Sequence, residues 1–227
     1  MVKAGELSQL RVEIPPSGVI GDLTVPINAR GVVVFAHGSG SSRLSPRNRF
    51  VAGVLHRTKL ATLLLDLLTA DEEQIDLRTR RLRFNIDLLA NRLIQTTNWL
   101  DSNHEVGGLP RGYFGASTGA AAALIAAAQL PESLRAVVCR GGRPDLAASA
   151  LSKVKAPTLL IVGGEDPAVV DLNKKALKQL QCIKRLDIVP RATHLFEEPG
   201  ILEHVTELAS NWFEKHLSKQ SNATGAM

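Results

Sequence analysis

The sequence predicts an α/β fold: a mostly parallel, twisted sheet with helices on both faces, entered through an antiparallel hairpin. Three observations carry this. Short apolar runs bounded by Gly, Pro or charge recur along the chain, segments with helical spacing lie between them, and the first thirty residues alone break the alternation.

The hairpin comes first. Residues 10–14 and 19–25 are strand-like and flank Pro15-Pro16-Ser17-Gly18, a turn signal. The runs at 32–35, 63–65, 113–114, 136–138, 158–162 and 186–189 then read as buried parallel strands. Helical spacing covers 48–58, 77–102, 118–129, 169–181 and 201–217. Crossovers of this kind are right-handed and place helices on both faces of the sheet. No connection is long enough for a large cap domain, which predicts an open site for small or medium substrates.

At 227 residues, 44% hydrophobic and 22% charged, the chain is expected to form one domain over 1–217, with the small, polar residues 218–227 as a frayed tail. No run approaches the roughly 18 apolar residues of a membrane span, and Met1 to Glu6 lack the apolar core of a secretory signal. The expectation is a soluble, cytoplasmic protein without membrane contacts. Cys139 and Cys182 belong to no C-x-x-C pair and to no cluster with His, so neither a disulfide framework nor a metal site is expected. The formal charge of +5 is scattered, and 4% aromatic residues are too few for a base-stacking platform, which argues against a nucleic-acid partner.

The chemistry centres on Gly115-Ala116-Ser117-Thr118-Gly119. The pentad is short, and its context gives it weight: a strand-like run precedes it and the alanine-rich 120–128 follows, so Ser117 stands at a strand-to-helix turn. Its alternative role is to cap that helix. A serine hydroxyl needs a base to take its proton, and in a Ser, acid, His chain order the base lies after Ser117. His204 and His216 fall inside the terminal helix, whereas His194 occupies a loop after a strand, at the edge where ligands collect. The acid should lie between them at another strand end, and Asp166 in Gly163-Gly164-Glu165-Asp166-Pro167 fits. Glu165 is its nearest competitor, and Asp166 has the alternative role of capping a helix that starts at Pro167. The backbone amides of Thr118 and of Ser39, in Ala36-His37-Gly38-Ser39-Gly40, are the expected oxyanion donors, with His37 packing under the loop. Arg43, Arg47, Arg140 and Arg143 are candidate substrate contacts for an anionic group, or else pair with acidic neighbours.

Taken together, residues 33–38, the pentad, Gly163 to Asp166 and Ala192-Thr193-His194 resemble the dienelactone hydrolase group of the α/β-hydrolase superfamily over nearly the whole chain. Residues 65–69 and 139–145 are similar to segments of compact bacterial members without a large lid. The resemblance implies an α/β-hydrolase fold and acyl-ester or lactone hydrolysis without a cofactor, on a small-molecule partner. The namesake enzymes carry cysteine where this chain has Ser117, which shifts the expectation to a serine hydrolase of carboxylic esters or lactones. Thioester, amide or peptide hydrolysis on the same residues, or a non-catalytic binding module, are the alternatives.

Overall fold

The computed structural model describes residues 7–217. Eight strands form one sheet: β1 (Leu7–Ile14), β2 (Val19–Pro26), β3 (Gly31–Ala36), β4 (Leu60–Leu65), β5 (Arg111–Ala116), β6 (Leu134–Arg140), β7 (Thr158–Gly163) and β8 (Lys184–Val189). Their spatial order is β1-β2-β4-β3-β5-β6-β7-β8. β1 and β2 form the antiparallel hairpin, with Leu7 opposite Pro26 and Ile14 opposite Val19, and β2 is also antiparallel to β4. All other pairings are parallel.

Every residue of β3, β4, β5 and β7 is buried. Such runs can exist only where both sheet faces are covered. Successive residues of β3 show the covering: Val32 and Val34 enter one apolar cluster, and Val33 and Phe35 the other. Helix α1 (Pro46–Arg57) and helix α7 (Ile201–Leu217) serve the second face through Val51, Leu55, Val205 and Phe213. Helix α3 (Ile86–Ser102) and helix α4 (Thr118–Gln129) serve the first through Leu89, Leu93, Leu100 and the alanines 120–123, 126 and 127. The alanines of α4 explain why a helix with no polar face is stable here: it lies between the central strands and α3, and small side chains let it approach both.

One local expectation changes. The helix expected over 77–102 is broken into α2 (Ala70–Thr79), a 3₁₀ turn at Leu82–Phe84 and α3. Arg80 ends α2 in the left-handed region (φ 54°), and Asp76, only 1% exposed, accepts the amides of Leu82 and Arg83 and pairs with the Arg83 guanidinium. That bonding diverts a chain whose apolar spacing alone reads as continuous. The beginning of α2 is set by a capping box, Thr69 with Glu72. Beyond β6, a 3₁₀ turn (Pro144–Ala147) and the short α5 (Ala148–Leu151) occupy a stretch without a strong periodic signal. Helix α6 (Pro167–Gln179) then joins β7 to β8. Among the described residues no helix is long and apolar enough to cross a membrane. The expected tail, 218–227, lies outside them.

Candidate functional site

The carboxyl ends of β3, β5, β6, β7 and β8 meet at one edge of the sheet, and the candidate residues stand at those strand ends, in the loops that follow them or in the first turns of the next helices. Ser117 connects β5 to α4 with φ 51° and ψ −119°, a conformation that costs a non-glycine residue on the order of 1–3 kcal/mol. Its neighbours make the turn possible. A Cβ on Gly115 would lie 2.5 Å from Ala120 Cα, and one on Gly119 would lie 2.3 Å from the Ala36 carbonyl oxygen. Both positions exclude any side chain, and the second also presses the elbow against the loop after β3. Two backbone bonds anchor the serine: its amide donates to the Arg140 carbonyl (3.2 Å), and its carbonyl accepts from the Arg143 amide (3.2 Å). Although Ser117 occupies the capping position of α4, its side chain makes no capping hydrogen bond.

Asp166 occupies the corresponding position before α6, and it too makes no capping bond. Its Oδ2 instead accepts from His194 Nδ1 at 2.7 Å. A carboxylate has no proton to give, so Nδ1 carries the hydrogen, and it is Nε2 whose lone pair is available whenever the ring is unprotonated. The His194 loop is anchored by fully buried Phe196 and by the Thr193 amide on Glu198 (3.0 Å). Glu165 is exposed, so the sequence competitor is turned to solvent rather than to His194.

The loop after β3 is held from two sides. His37 Nδ1 donates to the Gly38 carbonyl (2.9 Å), while Nε2 accepts from the Leu67 amide (3.2 Å). Burial pushes the His37 pKa below its ordinary value and favours this neutral form, more than the nearby Asp66 and Glu73 oppose it. The Ser41 amide closes a turn on the Gly38 carbonyl (3.2 Å), and Ser39 lies within that turn. Thr118 is the first residue of α4, so no carbonyl of its own helix can take its amide.

The four arginines divide into two pairs. Arg43 is committed to Asp66 through its amide (2.7 Å) and Nη1 (2.6 Å), with Asp22 at 3.4 Å from Nε, and Arg143 forks onto Asp145 (2.9 and 2.8 Å). Each is paired with a carboxylate, and neither joins the wall around Ser117. Arg47 and Arg140 do. A cleft of about 250 Å³ is lined by Ser117, His194, Ser39, Arg47 and Arg140, together with Gly38, Ser41, Ser45, Asn48, Ala116 and Leu195. Burial, with the Arg47 charge adding to it, lowers the Arg140 pKa to about 10. Ser41, Ser45 and Asn48 are wall residues absent from the sequence expectation. The signal for them was Ser45-Pro46, a cap followed by proline at the first helical position, which starts α1 at the cleft.

A parallel sheet entered by a hairpin, with a strained serine between its central strand and an alanine helix, defines the α/β-hydrolase fold. The chain belongs to the dienelactone hydrolase family, whose model matches residues 52–217. A dienelactone hydrolase from Anabaena variabilis, known from its crystal structure, is 59% identical and superposes with a TM-score of 0.91 over 93% of this chain and 99% of its own. Est1E from Butyrivibrio proteoclasticus shares the fold at 15% identity, with a TM-score of 0.76 over 92% of this chain and 98% of its own. A Mycobacterium tuberculosis protein whose name proposes a phosphoribosyl transferase is 56% identical over 209 residues, 92% of this chain and 46% of that protein. The chain thus spans about half the length of the curated relatives it matches.

Proposed function

We propose that the chain is a serine hydrolase of small or medium carboxylic esters or lactones, acting through an acyl-enzyme on Ser117. The observation that carries this reading is the pairing of a strained, non-capping serine with a His194 whose Nδ1 is held by Asp166, both lining one cleft. In the mechanism, His194 Nε2 takes the Ser117 proton as Oγ attacks the acyl carbonyl. Asp166 keeps the imidazole in the required tautomer and stabilises its cation. The amides of Thr118 and Ser39 receive the oxyanion. His194 then protonates the leaving alkoxide, and water, deprotonated by the same imidazole, releases the acid.

The family and the Anabaena relative support ester or lactone hydrolysis as the reaction class. The phosphoribosyl transferase name is not carried over, because the match takes in 46% of that protein and the groups gathered here are those of acyl transfer. Cys139 is no substitute nucleophile: it is fully buried in β6, and burial pushes its thiol up to about 12.

The test is covalent. A fluorophosphonate probe should label the wild-type protein at Ser117 and leave Ser117→Ala unlabelled, and the same substitution should abolish turnover of an activated acetate ester while the circular dichroism spectrum is retained. Unchanged turnover in Ser117→Ala would end this reading.

A further inference from the structure

The cleft holds more positive charge than acyl transfer requires. Arg140 is 8% exposed, and its Nη1 is sealed from the surface without a hydrogen-bond partner. Its guanidinium lies over the Phe114 ring, 5.8 Å from the centroid, and among the described residues no carboxylate pairs with it. A buried cation without a counter-ion carries a large desolvation cost, which an anionic ligand would relieve.

The surrounding wall is of the same character. Arg47 enters from the first turn of α1; its Nη1 holds Glu197, but its Nε is buried without a partner. The first turn of this 12-residue helix contains no acidic residue to offset the positive end of its dipole. Ser39, Ser41 and Ser45 line the same cleft. Ser45 Oγ accepts the Asn48 amide (3.3 Å), which leaves its own hydrogen available to donate.

We infer that this end of the cleft is a subsite for a phosphoryl group carried by the ester substrate. The inference rests on the proposed esterase only in placing that group on a molecule cleaved at Ser117. A carboxylate is planar and is satisfied by a single guanidinium fork. A phosphoryl group presents three acceptor oxygens and a charge approaching −2, and it calls for donors from several directions. Two guanidiniums and three hydroxyls around one cleft, beside the positive end of a helix dipole, are such a set.

Binding is measured first, on Ser117→Ala protein, with inorganic phosphate as the probe in calorimetric titration and acetate as the comparator. Phosphate should bind more tightly than acetate. Arg140→Met should weaken phosphate binding by at least about tenfold, with a smaller loss for Arg47→Gln and none for Arg185→Gln, whose side chain pairs with Asp187 on β8. Arg140→Lys, which preserves charge, should retain part of the binding and separates an electrostatic loss from misfolding. Phosphate bound equally by Arg140→Met, or acetate bound as tightly as phosphate, overturns the subsite. In the second arm, kcat/KM of the wild-type enzyme for 4-acetoxyphenyl phosphate should exceed that for phenyl acetate by about tenfold or more, and the preference should collapse in Arg140→Met mainly through KM. Phosphate binding without substrate preference points to free phosphate and overturns the substrate-borne assignment. Failure of the esterase reading is recorded separately by the fluorophosphonate label, since the titration does not depend on it.

Discussion

His194 donates its Nδ1 hydrogen to Asp166 Oδ2 across 2.7 Å, joining the loop after β8 to the loop after β7. Asp166→Asn keeps the shape of this contact but offers an amide that can hold the other tautomer, with the proton on Nε2. The expected result is a fall in kcat of about 10⁴-fold with a small change in KM, as for the corresponding change in a serine protease. Steady-state kinetics on an activated ester, with thermal melting as a control for folding, checks it.

Gly119→Ala tests the contact between the elbow and the loop after β3. The added methyl would meet the carbonyl oxygens of Ala36 and His37 at 2.3 and 2.4 Å, and both are backbone atoms that can move only with the loop. Overpacking of this kind costs about 1–3 kcal/mol. Urea unfolding should report that loss, and fluorophosphonate labelling should slow because the Ser39 amide is displaced.

Asp76 is nearly inaccessible and holds two backbone amides as well as the Arg83 guanidinium. Asp76→Ala leaves Arg83 without its partner and should destabilise the fold by about 3–5 kcal/mol. These bonds hold the carboxyl below its usual range despite the opposing effect of burial. A depressed carboxyl contributes stability above its unfolded pKa near 3.8 and loses it as pH falls through the folded value. The wild-type advantage over Asp76→Ala should therefore shrink at strongly acidic pH.

His37, His56 and His216 are all pushed below the ordinary imidazole value, chiefly by burial. Below pH 6.5 the unfolded chain takes up protons that the folded chain refuses, so unfolding becomes easier as pH drops from 6.5 towards the folded values. For His37 the refusal has a structural reason: protonated Nε2 would face the Leu67 amide as a second donor. The slope of urea-unfolding stability between pH 7.5 and 5 should be shallower in His37→Gln than in the wild type. Equal slopes would show that the His37 contact is not coupled to protonation.

Much of the fold was legible because its main signals are local. Apolar runs such as Val32 to Phe35 and Thr158 to Val162 can be satisfied only between two covered sheet faces, and Pro15 to Gly18 marks the hairpin. The break between α2 and α3 was not legible, since it depends on Asp76 folding back onto amides six and seven residues later. For Ser117 and Asp166, the sequence allows both capping and catalytic geometry. The structure gives neither side chain a capping bond, which counts against the capping role. The four arginines were indistinguishable in one dimension. Arg43 and Arg143 lie outside the cleft wall and pair with Asp66 and Asp145, one distant in sequence and the other two residues away.

The sequence by itself determined the alternation of strands and helices and the elbow pentad, because each is written in near-neighbour chemistry. Only the tertiary structure decided which acid meets His194, which arginines face Ser117 and that Arg140 is buried there without a counter-charge. These depend on five strand ends converging at one edge of the sheet, where residues far apart along the chain compete for the same hydrogen bonds and the same few cubic ångströms.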